Sequence, residues 1–200
     1  MDFHYCNEID LELLELATSV GKFNGWKFLY NGDDLLLHTP PLKVPNRIFE
    51  RKSKAGKIFK KCLVLSLKSD DSSSDESSES HVKLFTEFLK EFDKKCFSFC
   101  LPPDAPDGEP VKYCSIYTEG SNGPTFSVDL KIGYNSPDDI KVDVFGPDNQ
   151  PIEITNDPNI FLNHTVECIV RFDGIWKSVD KIGINWTAVQ IKICGAPKGA

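Results

Sequence analysis

The feature that most restricts what this chain can fold into is a two-residue alternation repeated through its last eighty residues. TFSVDLKI, residues 125 to 132, places Phe126, Val128, Leu130 and Ile132 on one side and Ser127, Asp129 and Lys131 on the other. IKVDVF repeats the pattern, and TVECIVRFDGIW and WTAVQIKI follow it. Period two is the period of a strand half-buried against a core, so this region predicts about four strands joined by short turns at Ser136-Pro137-Asp138-Asp139 and at GPDNQP. One segment breaks the rule. HVKLFTEFLKEFDKKCF, residues 81 to 97, carries Val82, Phe85, Leu89, Phe92 and Cys96 at helical spacing with charges between them, which predicts an amphipathic helix packed on a sheet. A mainly β chain with one inserted helix suggests a barrel or a sandwich rather than a doubly wound sheet.

The first half fits the same class. WKFLY and LLLHT flank Asn31-Gly32, the signal for a tight hairpin; Pro40, Pro41 and Pro45 then end regular pairing. EIDLELLELATSV, residues 8 to 20, suits a short helix or a strand equally. IFKKCLVLSLK reads as a strand and runs into SDDSSSDESSES, residues 69 to 80, which has no apolar side chain to bury and predicts a solvated loop. LPPDAPDGEP, residues 101 to 110, reads as a proline-rich connector. Two hundred residues with these short elements suit a single domain, residues 1 to 200, of ordinary size.

Charge is segregated along the chain. The net charge of −7 argues against a polyanionic partner when taken as an average. However, Asp70, Asp71, Asp75, Glu76 and Glu79 lie in the acidic tract, and setting these five aside leaves −7 + 5 = −2. By contrast, KVPNRIFERKSKAGKIFKK, residues 43 to 61, holds Lys43, Arg47, Arg51, Lys52, Lys54, Lys57, Lys60 and Lys61 against Glu50 alone. Seven irregularly spaced cysteines do not form a disulfide framework. With no long apolar run and an acidic amino terminus, the expectation is an intracellular protein without a membrane partner.

Motifs for catalysis are missing: there is no glycine-rich phosphate loop, Gly-x-Ser-x-Gly or His-Glu-x-x-His. His4, His38, His81 and His164 stand far apart. Cys96 and Cys100, with Cys114 downstream, lack the second tight pair of a structural zinc site. Neither an enzyme nor a cofactor is called for.

Two of the three tryptophans, Trp176 and Trp186, bracket a polar loop containing Lys177, Ser178, Asp180 and Lys181. Read as a strand, residues 186 to 193 put Thr187, Val189, Ile191 and Ile193 on the core side, leaving Trp186, Ala188, Gln190 and Lys192 outside. In the preceding strand Val166, Cys168, Val170 and Phe172 face the core and Arg171 the other side, with Glu167 and Ile169; Lys131 is outward on its own strand. Indole rings beside cations and amides suit a surface that stacks bases and neutralises phosphate. They suit equally well a barrel end plugged by tryptophan.

FLYNGDDLLLHTPPLKVP resembles a pattern found in the single-stranded-DNA-binding-like proteins of nucleo-cytoplasmic large DNA viruses. TFSVDLKI, DVFGPDNQPIEI and VECIVRFDGIWKSVDKIGINWTAVQIKI resemble the same family in the same order. Over residues 26 to 194 that resemblance implies an oligonucleotide/oligosaccharide-binding (OB) antiparallel barrel with extensions that coats single-stranded DNA during viral replication, recombination or repair, in the cytoplasm or nucleus of an infected cell. It implies phosphate contacts from Lys43, Arg47, Lys131, Arg171, Lys177, Lys181 and Lys192, with Gln190 on the same surface, and stacking on Trp26, Trp176 and Trp186. The acidic tract would compete with DNA or recruit basic viral replication proteins, and self-association is compatible with such a role. A protein-binding adaptor and a nucleotide-processing enzyme are the alternative classes.

Overall fold

The computed structural model describes residues 3–18, 26–68, 76–121, 123–133, 136, 138–154, 157–178 and 181–195, except 101–111. The acidic residues 69–75 and the connector 101–110 therefore lie outside the described residues. The elements are β1 (His4–Tyr5), β2 (Leu14–Thr18), β3 (Trp26–Tyr30), β4 (Asp33–Asp34), β5 (Leu36–His38), β6 (Leu42–Lys43), β7 (Phe49–Lys52), β8 (Ile58–Ser66), α1 (Glu76–Cys100), β9 (Lys112–Cys114), β10 (Tyr117–Gly120), β11 (Gly123–Leu130), β12 (Asp143–Phe145), β13 (Thr165–Lys177) and β14 (Lys181–Gly195). No helix among the described residues is long and apolar enough to cross a membrane.

Pairing runs from β13 to β6, β8, β11 and β14, and returns to β13. The links are uneven. β13 and β14 form a long antiparallel ribbon, whereas β6 meets β8 through the one pair Lys43 and Ser66. The result is a partly open, OB-like barrel. Most pairs are antiparallel, as the alternation predicts, but β14 runs parallel to β9, β11 and β12, and β1 runs parallel to β5.

The Asn-Gly hairpin forms as the sequence requires: Asn31 and Gly32 take φ of 53° and 83°, the twist that joins two antiparallel strands in two residues. Residues 11 to 18, open between helix and strand, make a short 3-10 turn and then β2. The helix is longer than expected at both ends. It begins at Glu76, inside the segment expected to be loop.

All five residues of the expected stripe, Val82, Phe85, Leu89, Phe92 and Cys96, are buried, joined by Phe88. They close the barrel core. Phe85 packs edge-on to Phe126 at 5.7 Å between centroids, and Phe92 lies 5.0 Å from Phe172 and 5.1 Å from Trp186.

Trp186 is therefore core: it is 1% exposed, which corrects the expectation that it faces solvent. The cause is a β-bulge. Ile169 pairs with Gln190 while Val170 pairs with Ala188, so Val189 has no partner and the alternation of β14 changes phase there. Before the bulge Ile182, Ile184, Trp186 and Ala188 point inward; beyond it Ile191 and Ile193 do. The inward residues of β13 are those expected, Val166, Cys168, Val170 and Phe172. A second irregularity leaves Asp173 unpaired between Phe172 and Gly174. Gly174 has φ of 125°, and a Cβ there would stand 2.6 Å from the Trp26 carbonyl oxygen, so the close approach of β3 requires glycine.

Two stability predictions follow from these placements. Trp186→Ala should lower unfolding free energy by about 3–5 kcal/mol, the cost of emptying a large aromatic site, measured by urea denaturation followed by circular dichroism. His38 is half-buried against Tyr5 and Phe3, and loss of hydration lowers its pKa more than Glu167 raises it. With the folded value below the ordinary one near 6.5, the unfolded chain binds the proton more readily. Stability is present above that value and is lost as pH falls from it towards the folded pKa. A urea series over that window should show the loss, and His38→Gln should flatten it.

Candidate nucleic-acid interface

The structure divides the sequence-predicted residues into separate groups. Trp186 is sealed in the core and cannot stack. Trp26 is half-buried on β3 against that core. Trp176 is half-buried, with its indole over Gly183, where a Cβ would stand 2.5 Å from Cζ2. Lys43 pairs with Thr165 at one end of β13, while Lys177 closes the other end. Twelve strand steps put these ends up to about 40 Å apart. Lys177 and Lys181 thus stand together at the ribbon tip, far from Lys43. Gln190 and Lys192 are half-buried on the outer face, opposite Ile169 and Glu167. Lys131 is exposed just past β11, and Arg171 is on the outer face of β13. The expected single trough floored by tryptophans does not form.

A different aromatic and basic surface does form, on the β7–β8 hairpin. Phe49 and Phe59 are 59% and 57% exposed, the most exposed phenylalanines among the described residues. Phe59 is displaced outward because Arg51 pairs with Lys60 but Lys52 pairs with Ile58, leaving Phe59 unpaired in a bulge. Arg47, Arg51, Lys52, Lys54 and Lys57 are exposed on and beside the same hairpin. Arg47, Phe49 and Lys52 line a cleft of about 480 Å³ with Ile48, Glu50 and Pro158. Ion pairing separates the working cations from the structural ones. Lys61 is buried between Glu50 at 3.6 Å and Asp138 at 3.4 Å, and Lys60 meets Asp129 at 2.6 Å. Arg47, Arg51, Lys54 and Lys57 form no ion pair among the described residues.

One register level crosses the outer face of the sheet. Phe49 pairs with Cys62, Cys62 with Asp129, Asp129 with Thr187, Thr187 with Arg171 and Arg171 with Leu36. Side chains at one level of adjacent strands share a face. The middle of this row is low, because Cys62 and Thr187 are small and 3% and 8% exposed. Its ends are high. Asp129 accepts from Lys60 Nζ and, at 3.4 Å, from the Cys62 thiol. Asp173 accepts from Arg171 Nε at 2.9 Å and from the Thr187 hydroxyl. Lys60 Nζ also donates to Asn185 Oδ1 at 3.2 Å. Burial, reinforced by the Asp129 charge, pushes the Cys62 thiol up to about 11, so it stays protonated at neutral pH.

Phe49, Phe59 and the hairpin cations beyond Arg47 were not singled out from the sequence as site residues, although the basic run itself was evident. The tryptophans drew attention because they are rare. The available signal was FERKSKAGKIF, two phenylalanines enclosing four basic residues and Ala-Gly at the turn.

The fold built here is a partly open, OB-like barrel packed against one helix. Among solved structures the chain is similar to the single-stranded DNA-binding protein from bacteriophage Enc34, C-terminal truncation, with a TM-score of 0.53 and 10% identity over 93% of this chain and 98% of that one. The Enc34 protein in complex with single-stranded DNA aligns with a TM-score of 0.48 and 12% identity over 92% of this chain and 99% of that one. No family model and no curated protein matches the sequence.

The Cys62 environment gives a direct check on the floor of this face. In native protein at mildly alkaline pH, Cys62 should resist iodoacetamide while denatured protein reacts, read by mass spectrometry of the peptide carrying it. Asp129→Asn, by removing a charge that opposes the thiolate, should speed the native reaction.

Proposed function

We propose that this chain binds single-stranded DNA through the β7–β8 hairpin and the adjoining outer face, without catalysing a reaction. The observation that carries the reading is the pairing of two exposed phenylalanine rings with cations that no carboxylate neutralises, on one projecting hairpin. Bases stack on phenylalanine regardless of sequence, and unpaired lysine and arginine displace counterions from phosphates. Arg47, Arg51, Lys54 and Lys57 take the backbone; Phe49 and Phe59 take bases. Lys43 and Lys131 extend the basic surface, whereas Arg171 is held by Asp173, and Trp176, Lys177 and Lys181 form a secondary contact at the ribbon tip. The fold shared with a phage protein named for single-stranded DNA binding supports the same reading.

A role in viral DNA replication, recombination or repair, in the cytoplasm or nucleus of an infected cell, belongs to this proposal. The resemblance of FLYNGDDLLLHTPPLKVP and the three later segments to the large-DNA-virus family supports it. The five carboxylates within residues 69 to 80 support recruitment of a basic replication protein.

The test is fluorescence anisotropy of a labelled single-stranded oligonucleotide over a salt series. Phe49→Ala should weaken binding by about 1–3 kcal/mol, roughly 5- to 150-fold, with the circular dichroism spectrum unchanged. Replacing Lys54 and Lys57 with glutamine should lower the log–log salt slope by roughly 1.4, twice the value of about 0.7 per phosphate for single strands. Unchanged affinity and slope in both variants would overturn the assignment of the hairpin.

A further inference from the structure

Along this row, the cations that meet the floor are paired with carboxylates. Lys60 is held by Asp129 and Arg171 by Asp173, so the two cations nearest the floor are matched by two carboxylates. The unpaired hairpin cations Arg51, Lys54 and Lys57 stand off the floor. A phosphate lowered onto the row would meet Asp129 and Asp173; a phosphate at the hairpin meets Arg51, Lys54 and Lys57. Coulomb repulsion and attraction therefore orient a bound strand with its backbone along the hairpin and its bases over the row.

We propose that the row centred on Asp129 and Asp173 contacts base edges and favours bases that carry an exocyclic amino group over thymine; the inference rests on the single-stranded DNA reading above. An ionised carboxylate offers about four lone-pair sites. Asp129 uses two, for Lys60 and Cys62, and Asp173 uses two, for Arg171 and Thr187. Both carboxylates retain acceptor capacity, and both are partly open, with side chains 19% and 32% exposed. Cytosine N4, adenine N6 and guanine N2 donate to such an acceptor, the pairing by which aspartate and glutamate read cytosine in duplexes. Thymine has one edge donor, N3–H, and it lies between two carbonyl oxygens that a carboxylate repels. The Cys62 thiol, kept protonated, adds no charge of its own to the row.

The experiment compares oligo-dC and oligo-dT of equal length, about 15 nucleotides, within the span of one OB-like fold, by anisotropy at neutral pH and two salt concentrations. The wild-type chain should bind oligo-dC about fivefold or more tightly than oligo-dT. Asp129→Asn and Asp173→Asn should each reduce that ratio, whatever they do to absolute affinity. The ratio is the readout because a general change in charge moves both oligonucleotides together. Equal binding of the two oligonucleotides, or a ratio untouched in both folded variants, overturns the base-edge proposal while leaving single-stranded DNA binding intact. Absence of binding to either overturns the underlying reading instead. Should Asp129→Asn fail to fold, Asp173→Asn and the wild-type ratio decide the matter.

Discussion

The unpaired Val189 controls this structure more than any other single position. By changing the phase of β14 it lets one strand send Trp186 and Ala188 inward at one end and Ile191 and Ile193 inward at the other. Trp186 then sits among Phe92, Phe126 and Phe172, where α1 meets the barrel. The same phase change turns Thr187 and Asn185 outward, to join Asp129, Asp173 and Lys60. Core and outer face are two consequences of one irregularity. The indole N–H of Trp186 has no hydrogen-bond partner among the described residues, a cost offset by the aromatic packing around the ring.

Ion pairing, rather than the number of basic residues, decides where a polyanion can be held. The basic run from Lys43 to Lys61 looks uniform in one dimension, yet it folds into two populations. Lys60 and Lys61 turn towards acids on neighbouring strands and, for Lys61, also towards Asp138 in a turn. Arg47, Arg51, Lys54 and Lys57 remain available. This is how a chain of net charge −7 presents a positive surface, since exposed charges act over about a Debye length, near 8 Å at physiological salt.

Much of the fold was legible from local patterns, because these act through neighbours in sequence. The Asn31-Gly32 turn, the helix stripe from Val82 to Cys96, and the inward faces of β11 and β13 all depend on backbone conformation and simple periodicity. The site was legible only in part. The outward placement of Arg171 and Lys131 followed from alternation, but a bulge is set by the partner strand, so Trp186 and Thr187 exchanged sides. Phe49 and Phe59 escaped notice because a phenylalanine in a strand is ordinarily core. Only the edge position of β7 and the bulge opposite Lys52 expose them. The separation of Lys43 from Lys177 likewise depends on the length of one strand, which residue type does not reveal.

The central claim is that nucleic acid lies on the β7–β8 hairpin and not on the tryptophan-bearing ribbon tip. Ultraviolet crosslinking of the full chain to a mixed-sequence single strand, followed by mass spectrometry of the nucleotide-bearing peptides, tests it most directly. The account predicts adducts on peptides spanning Phe49 to Phe59. Adducts confined to peptides spanning Trp176 to Trp186 would contradict it.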